Sequence, residues 1–137
     1  MVSRDNEPIE NYSNSGCSFY SIGDMFVKKL NWDLDENFIS IYKKLHLFEP
    51  RLVEIYEYYD RTIYMEKIDG QTLLNSMSND NYLEMCDIIT NIGLFCKQKQ
   101  ICFYHHNLHF QNFMFDGNCV RMVDPDSFHF YENGKWV

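Results

Sequence analysis

The stretch from Tyr104 to Phe128, YHHNLHFQNFMFDGNCVRMVDPDSF, constrains the fold of this 137-residue chain more than any other. Phe113 to Phe115 and Cys119 to Val123 are short apolar runs, and Asp116-Gly117 between them is a two-residue turn signal, so the segment reads as a β-hairpin. The polar residues collect at its ends: His105, His106, Asn107, His109, Gln111 and Asn112 before it, Asp124 and Asp126 after it. A rigid hairpin that carries its polar groups at one end is a mount for chemistry. Asn112 enters one strand and Asp124 leaves its partner, which brings an amide oxygen and a carboxylate together. Hard oxygen ligands of this kind suit a magnesium ion, which takes one or two protein ligands and completes its shell with water and phosphate oxygens. Standing alone, Asn112 reads as a turn residue and Asp124 as a strand-end cap. Their order, their spacing and the hairpin between them favour the ligand reading.

The segment resembles the catalytic core of protein-kinase-like phosphotransferases, in which a loop H-R-D-x-x-x-x-N precedes a hairpin and a metal-binding Asp. His105 takes the place of the motif His, His106 of the Arg, Asn107 of the catalytic Asp and Asn112 of the metal-binding Asn. Asp124 falls on the Asp of Asp-Phe-Gly, with Pro125-Asp126 where Phe-Gly stands in the family. The Leu-His pair after Asn107 is closer to the aminoglycoside-kinase, bacterial and phage-type branches than to the eukaryotic enzymes. Asn107 cannot accept a proton at neutral pH, and Asp126 and His106 are the substitutes at hand.

The resemblance extends upstream. Gly16 and Ser18 stand where a glycine-rich loop covers phosphates, with one glycine of the family's three. Met25-Phe26-Val27-Lys28 matches the third-strand V-A-I-K, so Lys28 is the implied contact to the α- and β-phosphates, while Lys29 points to the other face. Met65-Glu66-Lys67-Ile68-Asp69-Gly70 matches the hinge, where backbone groups at Glu66 to Ile68 would bind adenine. Gly70 is expected to turn the chain into the next element.

Between these motifs the chain alternates strand and helix signals. Residues 1–11 are polar and read as a flexible N-terminus. Leu34, Phe38, Ile41, Leu45 and Phe48 make one helical stripe over Asp33 to Phe48, capped by Asp33 or Asp35 and ended by Pro50. In the family this helix belongs to the small lobe and its Glu pairs with the strand lysine. Glu36 is the glutamate available here, and it lies about 200° round the helix from Leu34, off the apolar stripe. Leu52 to Tyr59 and Arg61 to Lys67 read as strands turning at Asp60-Arg61, and Gln71 to Met77 as a short helix. Asn79-Asp80 opens a long helix with Tyr82, Met85, Ile89, Ile92 and Cys96 on its apolar face. Asn133-Gly134 marks a closing hairpin of Phe128 to Tyr131 with Lys135 to Val137.

These readings give an α+β chain with a minimal protein-kinase-like fold. An antiparallel β small lobe with one large helix (12–68) precedes a truncated helical large lobe holding the catalytic-loop hairpin (70–137), within one domain at 12–137. A hydrophobic fraction of 45% and an aromatic fraction of 17% exclude disorder. A net charge of −8 repels phosphate backbones and anionic headgroups, so nucleic acid and membrane are not the expected partners. Five Cys without CxxC spacing read as reduced core thiols of a cytoplasmic protein.

The implied function is ATP and Mg²⁺ binding between the lobes, with phosphotransfer to a protein or small-molecule hydroxyl. The alternative is a pseudokinase acting as a binding or regulatory module, and Asn107 favours it. A metallohydrolase built on His105, His106, His109 and Asp124 is the third class. The missing covering helices of the large lobe imply an apolar patch met by a protein partner or a second copy.

Overall fold

A computed structural model of the chain describes residues 8–10, 17–105 and 108–137; Gly16, His106 and Asn107 lie outside the described residues. It divides into two compact units, one holding the described residues up to Leu34 together with Glu54–Lys67, the other Asp35–Val53 and Ile68–Val137.

The first unit is a five-stranded antiparallel sheet of β1 (Pro8–Glu10), β2 (Ser18–Ile22), β3 (Met25–Lys29), β4 (Ile55–Tyr59) and β5 (Thr62–Glu66), in the order β1-β2-β3-β5-β4. Pro8–Glu10, expected to be flexible, is an edge strand paired with Tyr20 and Phe19. Backbone pairing needs no apolar period, which is why the sequence gives no sign of it, and an edge tolerates the missing N–H of Pro8. β4 and β5 join through Asp60-Arg61, whose φ values of 52° and 58° are those of the mirror-image turn that matches strand twist. The Thr62 hydroxyl donates to the Asp60 carbonyl (3.0 Å) and Arg61 Nε to Asp33 Oδ1 (3.1 Å), holding that turn.

The second unit is built on α1 (Glu36–Phe48) and α3 (Asn79–Lys99), with the short α2 (Leu73–Ser76). Two three-stranded sheets complete it: β6 (Gln71–Thr72), β8 (Phe113–Phe115) and β9 (Val120–Met122), and β7 (Cys102–His105), β10 (Phe128–Glu132) and β11 (Lys135–Trp136). The helix expected in the small lobe thus belongs with the second unit. Its Phe38 and Tyr42 rings pack on Phe130 (5.6 Å) and Phe128 (6.0 Å) of β10. Asp35 caps it by accepting from the Asn37 N–H (2.8 Å). Tyr42, absent from the expected stripe, is buried because its hydroxyl donates to the Val53 carbonyl (2.7 Å), while Phe48 is exposed.

Ser78, not Asn79-Asp80, caps α3, and the helix ends at Gln100 in the left-handed conformation (φ 57°). Its buried face is Met85, Ile88, Ile92, Phe95 and Cys96, so the expected stripe is rotated, with Ile88 in place of Ile89 and Tyr82 in solvent. Burial pushes the Cys96 thiol up to about 11, helped by nearby Cys102. Cys102 itself is exposed, so the cysteines are free thiols but not all core ones. The β8–β9 connection is wider than the two-residue turn expected: Phe115 pairs with Val120, and Asp116 Oδ1 accepts from the Asn118 (2.8 Å) and Cys119 (2.9 Å) N–H groups. A side chain turns back on the backbone here, and Gly117 supplies the positive φ of 98°. Gly70 is needed for close approach rather than for a turn, because a Cβ there would overlap the Phe115 carbonyl oxygen. Among the described residues no helix is long and apolar enough to cross a membrane.

One polar network stitches this unit together. Glu49, 2% exposed, accepts from Arg51 Nη2 (2.5 Å), Arg51 Nε (2.9 Å), the Arg51 N–H (2.9 Å) and Asn91 Nδ2 (2.9 Å). Arg51 also reaches Asp87 (2.8 Å) and Glu84 (3.3 Å) on α3. Burial pushes the Glu49 carboxyl up, but the Arg51 and Asn91 hydrogen bonds outweigh it and hold the group below its ordinary range. Such a depressed group contributes stability that is fully present above the unfolded value, near about 4.3, and is lost as pH falls through the folded value. Asp116, held low against its burial by the Cys119 and Asn118 N–H groups and Arg121, acts with the same sign. We therefore predict a Tm by circular dichroism that falls with acidification below about pH 4.5, with the acid limb flattened in Glu49→Gln. Arg51→Met leaves the buried carboxylate without its cation and should cost about 3–5 kcal/mol in urea unfolding. An unchanged urea midpoint and slope in that variant would show the network to be ornamental.

Candidate functional site

The hairpin carries its two polar ends to one place. Phe113 pairs with Met122, and one step further the Val123 N–H donates to the Asn112 carbonyl (2.8 Å), so the ladder runs up to the side chains in question. There the Asn112 Nδ2 donates to Asp124 Oδ2 at 2.8 Å. Asn112, 1% exposed, closes a one-turn 3₁₀ segment at Phe110–Asn112. Its Oδ1 accepts from the His109 N–H (3.4 Å), and His109 Nδ1 accepts from the Gln111 N–H (3.1 Å). Each end of the amide is thereby oriented, and the His109 ring is used as a cap.

Asp124 adopts left-handed φ and ψ of 60° and 62°. For a residue other than glycine this conformation costs about 1–2 kcal/mol and persists when the surroundings over-determine it. Here they do. The Ser127 N–H donates to the Asp124 carbonyl (3.1 Å) across a Pro125–Ser127 turn whose three residues are all buried. Phe128 then pairs with His105, which tethers the chain after Asp124 to the end of β7, and the Phe128 ring meets the His105 ring edge-on at 4.9 Å. Asp124 is aimed by its backbone, and Asp126 is buried two residues on.

Of the residues singled out in the sequence, Asn112 and Asp124 are brought into contact. Asn107, His106 and Gly16 lie outside the described residues. Ser18 opens β2 opposite Lys29. Lys28, half-buried in the middle of β3, pairs with Phe19 and Ile63 and so shares a sheet face with them, while Lys29 is exposed on the other face. Glu66 ends β5, and its N–H and the Lys67 N–H donate to the Glu54 (2.9 Å) and Asp24 (3.3 Å) carbonyls within the first unit. Ile68 comes next, half-buried. Glu36 is exposed in the first turn of α1. Among the described residues no group of three His, Cys, Asp or Glu is arranged to hold a metal ion; His106, a member of the His105, His106, His109 and Asp124 set, lies outside them.

Asp124 offers a hard carboxylate to a dication, while Asn112 presents Nδ2 to that carboxylate and Oδ1 to the His109 N–H, so its oxygen would become a second ligand only with the amide rotated. The sequence did not reveal what positions them. The Glu49–Arg51 network reaches residues far along the chain, Asn91, Asp87 and Glu84, without a local pattern. The His109–Asn112 contact, by contrast, is a local capping box with His in place of the usual Ser or Thr, and the left-handed Asp124 before Pro125 had a cue in that Asp tolerates the conformation better than most residues.

No protein-family model matches the chain, and no curated protein matches it. Among solved structures, the Cydia pomonella granulovirus kinase PK-1 is similar, with a TM-score of 0.55 at 12% identity, over 93% of this chain and 55% of that one. At that identity the likeness concerns the fold. The chain has an α+β, kinase-like fold and spans 55% of the length of that kinase.

The contact predicts how Asp124 must be replaced. Asp124→Ala strands the buried Asn112 amide and puts alanine in the left-handed region, a loss of about 2–4 kcal/mol. Asp124→Asn keeps an acceptor and tolerates the conformation, so it should stay within about 1 kcal/mol of wild type. Urea unfolding of the two variants side by side checks this, and equal losses would mean that the contact is not made.

Proposed function

We propose that this chain is a nucleotide-binding kinase-like domain in which Asn112 and Asp124 hold the magnesium ion of bound ATP. The observation that carries the reading is the buried amide in contact with a carboxylate fixed in the left-handed conformation at the end of a hairpin. Bound magnesium would neutralise charge on the phosphates and fix their orientation. The protein groups do the rest by position. Asp124 supplies the carboxylate, and Asn112 Nδ2 holds it in place (2.8 Å); the Asn112 oxygen, which accepts from the His109 N–H, would join as a ligand on rotation of the amide. The family resemblance further implies Lys28 as a phosphate contact. Because the Glu66 and Lys67 N–H groups are committed inside the first unit, the adenine contact from this segment falls to Ile68 and the carbonyls beside it.

A second reading differs only in the chemistry. Asn107, where the family places its proton acceptor, has no basic form at neutral pH, and general-base help is typically worth about 10²–10⁴-fold. That residue favours a nucleotide-dependent binding module whose phosphotransfer is slow or silent. Asp126, buried beside Asp124, and His106 are the substitutes available if transfer does occur.

Two measurements test these readings. In a thermal-shift titration Mg·ATP at 100 times its Kd should add about 2.7 kcal/mol to wild-type stability. The metal-dependent part of that shift should vanish in Asp124→Asn. A folded Asp124→Asn protein with an unchanged Mg·ATP shift would sink the assignment of the metal. Radiolabelled phosphate transfer decides the rest: Asn107→Asp is expected to leave ATP affinity within a few-fold while raising transfer. If wild type is already active and the substitution adds nothing, another residue is the base; if both are silent while ATP binds, the chain is a binding module.

A further inference from the structure

The long helix α3 presents a second face that the fold does not use. Opposite its buried side, Asp80, Leu83, Asp87, Thr90, Leu94 and Lys97 are all exposed, Leu83 by 64% and Leu94 by 47%. They recur at alternating spacings of three and four, so Leu83 and Leu94 stand about 20° apart on the wheel. This is the seam pattern of two helices packed side by side, carried on a helix whose core contacts lie on the other side. Its charges are segregated, acidic at the N-terminal end and basic at the C-terminal end.

That order makes the face complementary to itself when inverted. With two copies of α3 antiparallel about a two-fold axis, Asp80 of one faces Lys97 of the other, Leu83 faces Leu94, and Asp87, already bonded to Arg51 (2.8 Å), faces Thr90. Each layer repeats on the far side of the axis. A parallel pair would set Asp80 against Asp80 instead.

An independent observation concerns Gly93, beside Leu94 on the flank of this face. Glycine inside a helix is unfavourable, and an isolated one usually has a packing reason. Among the described residues none supplies it, since a Cβ at Gly93 would meet nothing within 4 Å. Close approach of a helix from outside the chain accounts for it, and in the antiparallel arrangement Gly93 lies across from the small Cys86 of the other copy.

We infer that α3 is the contact surface of an antiparallel homodimer, in which the Leu83–Leu94 layers are buried and the Asp80–Lys97 pairs fix the direction. The inference does not depend on nucleotide binding. Two leucines per copy make a small interface, so the dimer is weak, dissociating at on the order of 100 µM.

Sedimentation equilibrium from about 5 to 500 µM, with circular dichroism as the control for folding, tests it. Wild type should pass from monomer to dimer over that range, and Leu83→Arg should weaken the dimer by at least about tenfold. Gly93→Gln should raise the Tm of dilute protein, because a better helix former meets no neighbour in its own chain, and should weaken the dimer. Asp80→Lys and Lys97→Asp should each weaken it about fivefold, while the double exchange restores it to within about threefold. The macrodipole of α3 favours these charges at the same ends, but by itself it makes the double exchange the worst variant. A monomer at every concentration overturns the inference and leaves the face to a different protein. A dimer that survives Leu83→Arg, or a double exchange weaker than both single ones, overturns it as well.

Discussion

The carboxylate of Glu49 is almost without solvent and is surrounded by donors: three from Arg51 and one from Asn91. The later part of the chain depends on that arrangement. Arg51 is pinned to α3 by Glu84 and Asp87, and its carbonyl then accepts from the Met122 N–H (3.0 Å) and from Arg121 Nε (3.1 Å). Val53 donates back to the Met122 carbonyl (2.9 Å), while Glu84 takes the Val120 N–H (2.9 Å). Strand β9 is therefore held along its length by the segment after α1 and by a side chain of α3. Asp124 leaves the end of that strand. An ion pair near residue 50 thus fixes the position of a carboxylate more than 70 residues later, and the coupling is a sequence of short hydrogen bonds rather than a general property of the core.

This explains how so small a unit holds strain at its site. A left-handed aspartate and a fully buried asparagine amide both cost free energy, and each is tolerable because neighbours on two sides fix it. The hairpin supplies one side and the β7–β10 pairing supplies the other, through Phe128 opposite His105. The aromatic stack of Phe128 and Phe130, with rings 5.9 Å apart and 4° from parallel, anchors that second side against Phe38 and Tyr42 of α1. Structural support for the site therefore comes from α1, although the family resemblance had assigned that helix to the other lobe.

How much the sequence discloses tracks the range of the interactions. Local signals were legible: Asp60-Arg61 and Asn133-Gly134 turn the chain where expected, with positive φ at all four residues, and Asp35 caps α1. The pairing of Asn112 with Asp124 was legible because an antiparallel hairpin converts sequence order into proximity. The register of α3 was not, since one step along a helix separates Ile88 from Ile89 and both are apolar; packing against α1, β7 and β9 chose between them. Glu49 and Arg51 carry no sequence signal of their role, because nothing nearby in sequence shows that Asn91 and Asp87 will meet them. Pro8–Glu10 gave no apolar period, and its place as a strand shows only in its pairing with Tyr20 and Phe19.

The central claim is that Asn112 and Asp124 are metal ligands when nucleotide is bound. Paramagnetic broadening of ¹⁵N-labelled protein by Mn²⁺ in the presence of ATP tests it most directly, because broadening falls steeply with distance and needs no catalytic activity. The Asn112 side-chain amide and the backbone signals of Val123 to Ser127 should disappear at substoichiometric Mn²⁺, and should persist when ATP is omitted. Broadening confined to the exposed acidic residues of α3, with the Asn112 amide untouched in the presence of ATP, would contradict it.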